Sequence, residues 1–326
     1  MIRESDISRF LHSRYALIIF SIIAIFATYL ASSWGKVTPI LDNKGLGLTP
    51  FNQWIEPGGL SMTINIFLNL LIALLMIYIN KTFNVLRNPT ILFAGLFLIL
   101  QIPITDIMGQ LYGGTALCVV MLTCSFILFS TYNNRNPYAI FLIFAILSFC
   151  TFFQYAFIFY IPVFVLGCMQ MRVFDLRIAI AAALGVITPP WILFGFGILD
   201  VQNFILPQFI GIYEQLSTHE VLQMLITIGL SIFVCIGAWL ANFVNIISYN
   251  AKTRAYNGVF TIMALTSILL IMADYTNYII YVPMLNCCTA LQLGHLFTIY
   301  EARRSYIGII AIFVVYLGLY IWGVWI

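Results

Sequence analysis

Apolar runs of helical length recur along the whole chain, divided by short polar connections. A hydrocarbon core about 30 Å thick takes roughly 20 helical residues. That ruler predicts eleven spans: Tyr15–Trp34, Ser61–Asn80, Ile91–Ile104, Thr115–Thr131, Tyr138–Phe153, Tyr155–Gln170, Ile178–Leu199, Val221–Ser248, Val259–Met272, Tyr278–Thr298 and Ile307–Trp325. The third to sixth are individually short. The pattern between Tyr138 and Gln170 reads as one long tilted span or as a hairpin turning near Gln154 and Tyr155. The third and fourth are divided by Thr105 to Gly114, a polar, glycine-containing break. Short helices of this kind need protein or a watery cavity around them, because lipid cannot satisfy their frayed backbone ends. They predict a groove open to the outer face.

Composition agrees with a membrane-spanning chain: 63% of the residues are hydrophobic and 8% charged, with a mean hydropathy of +1.04. The expected fold is all-α, a single polytopic transmembrane bundle over residues 1–326. The first apolar run is followed by no small-residue cleavage site and is read as a retained helix rather than a secretion signal. All seven cysteines fall inside apolar runs, which predicts buried thiols rather than a disulfide framework or a zinc site.

Basic residues orient the bundle. Arg3, Arg9, Arg14, Lys81, Arg87, Arg135, Arg172, Arg177, Lys252, Arg254, Arg303 and Arg304 fall at every second connection, and only Lys36 and Lys44 break the pattern. Cytoplasmic loops retain Lys and Arg, so the amino terminus is expected in the cytoplasm and the carboxyl terminus outside. Arg135 and Arg172 both satisfy the rule only if the chain goes out and returns between them, which favours the hairpin.

Two outer connections are longer than turns. In residues 35–60, Thr49 can cap a helix beginning at Pro50, with Leu48, Phe51, Trp54 and Ile55 on one face. Residues 200–220 repeat the theme, ending in Ser217 and Glu220 as a capping box. Both predict helices lying in the membrane interface.

Asp42, Glu56, Asp106, Asp200, Glu214, Glu220 and Asp274 lie on the predicted outer side, against Glu4, Asp6, Asp175 and Glu301 inside. The topology rule is nearly indifferent to carboxylates, so it does not require this bias. Asp42 follows the first span, and Asp106 occupies the break. One such carboxylate can accept a proton from an attacking hydroxyl. The other can hold a divalent cation, magnesium or manganese, against a phosphate leaving group. Asp106 is equally placed to serve as a helix cap or turn residue.

No Asp, Glu, Lys or Arg lies in the middle of a predicted span, which argues against an ion-driven carrier. Asn65 with Asn69, and Gln292 with His295, are spaced to hydrogen-bond between helices. His295 itself reads as an interfacial side chain. Pro189 and Pro190 should kink the seventh span. Trp34, Trp54, Tyr112, Tyr213, Tyr275, Tyr278, Trp322 and Trp325 read as interface anchors. No phosphate loop, nucleophile elbow, histidine cluster or nucleic-acid motif appears.

Eleven spans, an acidic first outer loop with interfacial helices, short paired helices and a second acid between the third and fourth spans resemble the membrane glycosyltransferases of the GT-C fold. That family includes the oligosaccharyl- and protein O-mannosyltransferases. The stretch Met171 to Phe194 (MRVFDLRIAIAAALGVITPPWILF) also resembles an uncharacterised family of bacterial inner-membrane proteins. The GT-C resemblance implies transfer of a sugar from a polyprenyl-phosphate donor to a glycan or protein acceptor. Asp42 would stand for the first-loop catalytic acid and Asp106 for the acid of the next outer loop, where it would also hold the metal. Lys36 and Lys44 would meet the lipid phosphate, with Trp54 and Glu56 at the substrate. The first loop, at 26 residues, is shorter than usual for the class, and Asp106 lacks a paired acid beside it. A flippase or transporter of a lipid-linked envelope intermediate would use the same groove without bond chemistry. A non-catalytic subunit of an envelope assembly would leave the loop acids dispensable.

Overall fold

A computed structural model describes residues 13–37, 45–56, 58–86, 90–199, 218–247, 249–274, 277–299 and 305–325. Twelve α-helices carry the fold among them: α1 (Arg14–Ser33), α2 (Gly59–Phe83), α3 (Leu92–Gln101), α4 (Thr105–Gly109), α5 (Gly114–Ser130), α6 (Pro137–Phe153), α7 (Ile161–Gln170), α8 (Leu176–Gly195), α9 (Thr218–Ile247), α10 (Ala251–Ala273), α11 (Tyr278–Ile299) and α12 (Ser305–Trp325). No strand is found among the described residues. Seven helices (α1, α2 and α8 to α12) are long and apolar enough to cross a membrane, while α3, α5, α6 and the Tyr155–Gln170 segment are shorter apolar helices. By length and composition this is a multi-pass membrane protein.

The Tyr138 to Gln170 stretch is a hairpin. Asn136 caps α6 by accepting from the N–H groups of Tyr138 and Ala139 at 3.1 and 3.3 Å, with Pro137 preset at the first helical position. The chain breaks at Gln154, which is extended, and returns through a 3₁₀ turn, Tyr155–Tyr160, into α7. Both ends of the hairpin meet, since Asn133 N–H donates to Met171 O at 3.2 Å.

The core forms around α11, which packs on α3, α5, α9 and α10. Its Pro283 has no N–H for the carbonyl of Ile279. Gly114 of α5 sits on that carbonyl, where a Cβ would come within 2.5 Å of the oxygen. Only glycine allows the two backbones this close. On the periphery α6 packs along α8. Pro189 and Pro190 do not interrupt α8, and the Val186 carbonyl that Pro190 cannot bond is taken by Ser148 Oγ at 2.7 Å.

Three expectations need correction. Between Pro50 and Pro57 there is no amphipathic interfacial helix, only a single 3₁₀ turn, Phe51–Gln53, without a side-chain cap. A helix begun at Pro50 has no room before Pro57, whose ring disfavours helical geometry at the preceding residue. The turn is held instead by Trp54 Nε1 donating to Thr49 O at 2.9 Å and by Phe51 stacking on Phe153, centroids 5.3 Å apart. His295 is fully buried, with Nε2 2.5 Å from Asn257 Oδ1, so it is no interfacial residue. Tyr112 and Tyr278 are also buried, whereas Trp34 and Trp325 pair edge to face on the exposed surface, as anchors would. The expected interfacial helix of residues 200–220 falls largely outside the described residues, of which Thr218 onward belongs to α9.

Candidate functional site

The helix that breaks at Gln101 breaks for a local reason. Pro103 lacks an N–H and crowds Ile102, so α3 cannot continue through it. The chain then makes the short α4, turns extended at Gln110, and restarts as α5. A break like this leaves backbone groups without helical partners. Three side-chain amides from three helices supply the missing donors. Asn286 of α11 donates to Leu100 O at 3.0 Å, Gln223 of α9 to Pro103 O at 3.1 Å, and Asn65 of α2 to Ile107 O at 2.6 Å. Ser61 Oγ accepts the Leu111 N–H at 2.8 Å, and Thr115 donates to Asn65 Oδ1 at 2.8 Å. Asn65 therefore does bond between helices, as its spacing predicted, and its partners are the broken segment.

Asp106 stands in the first turn of α4 and is half-buried. The stem of the first connection packs onto the same helix. Thr105 Oγ1 donates to Lys36 O at 3.0 Å, and a Cβ on Gly109 would meet Val37 Cγ2 at 2.5 Å. Lys36 and Asp106 are thus brought to one short helix. Asp42 and Lys44 lie outside the described residues. Trp54 is held elsewhere, against Phe153 at the end of α6 with centroids 5.4 Å apart, and Glu56 is exposed beyond it. The two broken elements still adjoin, because a Cβ on Gly113 would overlap the Gln154 carboxamide.

Next to Gln154 lies an acid whose burial the sequence did not reveal. Asp274, 3% exposed, follows the last residue of α10. Its Oδ2 accepts from Tyr155 Oη at 2.5 Å and Tyr281 Oη at 2.8 Å, and its Oδ1 accepts from Asn277 Nδ2 at 2.9 Å. A short connection, a helix break and the start of α11 are joined through one carboxylate. The available signal was position: three residues separate Asp274 from the next span, too few to carry an acid out into solvent.

Among the described residues no group of three or more His, Cys, Asp or Glu comes together. What this end of the bundle offers is a half-buried acid, a lysine on the adjoining stem and a polar break lined by amides. The chain matches no protein-family model, no curated protein and no solved structure.

Proposed function

We propose that the chain is a GT-C-like glycosyltransferase of the bacterial inner membrane, moving a sugar from a polyprenyl-phosphate donor to a glycan or protein acceptor on the outer side. In this reading the four shorter helices cross as well, giving eleven spans with the amino terminus cytoplasmic. The observation that supports it is the Thr105 bond to Lys36 O, which keeps a cation and the Asp106 helix together at the mouth of the broken segment.

The chemistry follows from those groups. Asp42 takes the proton of the acceptor hydroxyl as its oxygen bonds to the anomeric carbon. The bond from that carbon to the phosphate oxygen breaks, and polyprenyl phosphate leaves with the electron pair. Lys36, with Lys44, offsets the charge of that phosphate, while Asp106 orients the acceptor.

Purified protein in vesicles, supplied with radiolabelled polyprenyl-phosphate sugars and acceptor, tests the reading. Label should pass to the acceptor, and Asp42→Asn should slow transfer by about 10²- to 10⁴-fold with donor binding retained. Asp106→Asn should act mainly on acceptor KM, and Lys36→Gln on donor KM. Unchanged transfer in Asp42→Asn removes the proposed base. Donor crossing the bilayer without transfer identifies a flippase instead.

A further inference from the structure

At the end of the bundle opposite α4, the connections before α6 and α8 frame a cavity of about 490 Å³ lined by Arg135, Pro137, Asp175, Arg177 and Ile178. Its framing is firm. Asn133 N–H donates to Met171 O across the two connections. Asn133 and Arg172 both adopt left-handed backbone, φ 54° and 59°, which is uncommon for residues other than glycine. Below them α6 and α8 approach so closely that a Cβ on Gly185 would come within 2.6 Å of Phe141 O.

The charges in the cavity do not cancel. Arg135 Nη1 lies 3.3 Å from Asp175 Oδ2, and Asp175 Oδ1 also accepts the Ile178 N–H at 2.9 Å, so the one carboxylate of the lining among the described residues is already engaged twice. Arg177 makes no ion pair among the described residues. Two guanidinium groups therefore face one carboxylate. Around them Tyr138, Leu176 and Phe174 are exposed, at 85%, 77% and 44%, which places the cavity where apolar surface gives way to charge. A phospholipid has that same boundary between its acyl chains and its phosphate. The planar guanidinium fork suits phosphate oxygens, and basic pockets between spans bind anionic head groups.

We propose that this cavity holds the head-group phosphate of an anionic phospholipid. Arg177 contacts the phosphate directly, Arg135 contributes from its fixed place on Asp175, and the acyl chains run down past Leu176. The site is independent of the proposed transfer chemistry, and its occupant is a structural lipid rather than a substrate.

Native mass spectrometry of delipidated full-length protein, titrated separately with phosphatidylglycerol and phosphatidylcholine, tests the site. Phosphatidylglycerol should bind preferentially, and Arg177→Gln should weaken that binding about fivefold, as expected for one guanidinium near the surface. Arg135→Gln should weaken it by at least as much, since it also frees Asp175 to face the phosphate. Lys252→Gln should change nothing, because Lys252 lies over the Tyr256 ring at 5.9 Å and does not line the cavity. Equal binding of the two lipids overturns the proposal. So does an equal loss in Lys252→Gln, which would mean diffuse surface charge. Inorganic phosphate protecting the protein from thermal unfolding as well as phosphatidylglycerol does would replace the lipid with a free anion.

Discussion

Helices α11 and α12 follow one another in the chain and face opposite surroundings. Of the most apolar stretch of α11, 94% is buried, against 28% for α12, yet α11 is the least apolar of the seven long helices and α12 the most. The polar residues of α11 turn inward to other helices. Asn286 reaches α3, His295 reaches Asn257 of α10, and Gln292 O accepts from Asn242 of α9 at 2.6 Å. From helix α12 the phenols of Tyr316 and Tyr320 reach Ser231 and the carbonyl of Ala27. In water the most apolar helix would be the most buried. Here no hydrophobic gain separates helix from lipid, so packing and hydrogen bonds hold the centre and apolar surface is turned outward.

The contrast is broken most severely at the start of α11. Asp274→Leu removes the acceptor shared by Tyr155, Tyr281 and Asn277. Each buried donor left unpaired costs about 1–3 kcal/mol. Unfolding in mixed micelles should therefore show a loss of several kcal/mol, while Asp274→Asn, which keeps one carbonyl oxygen, should lose clearly less. A leucine variant as stable as the parent would mean that the cluster holds nothing together.

The next effect in size is steric. Gly114→Ala would push a methyl group against the Ile279 carbonyl, 2.5 Å away and part of backbone rather than a movable side chain. Overpacking of this kind costs about 1–3 kcal/mol, and the same unfolding measurement reads it. Full retention of stability would show that α5 can withdraw from α11 without penalty.

Hydropathy made the seven long helices legible because a helix of membrane length must be apolar whichever neighbour it has. Arg135 and Arg172 made the hairpin legible, since their charges forced both ends to one side. Helix α10 begins at Ala251, eight residues before the apolar run suggested, because Lys252, Arg254 and Asn257 continue the helix beyond the apolar stretch. Polarity there concealed the helix. Asp106 was readable as the acid of a break, but the amides that stabilise the break were not. Asn286 and Gln223 lie 186 and 120 residues from the carbonyls they serve, and no local pattern encodes such pairings. The burial of Asp274 is not legible for the same reason, as its partner Tyr155 is 119 residues away. His295 looked interfacial because its sequence neighbours are charged, yet it bonds across to α10.

The smallest effect sharpens the comparison by changing sign. Gly237 of α9 has open space around its Cα, with nothing within 4 Å of the point where a methyl group would sit, and it lies on an exposed part of the helix. No close approach requires glycine there. Glycine in a helix interior costs roughly 0.5–1 kcal/mol relative to alanine through the freedom it loses on folding. Gly237→Ala should therefore raise unfolding stability by about 0.5 kcal/mol, while the identical change at Gly114 lowers it. Destabilisation at Gly237 would mean that this open face is covered in the membrane by another helix packed too closely to admit a methyl group. Comparing the two alanine variants in one unfolding series thus asks directly whether α9 meets lipid where α11 meets protein.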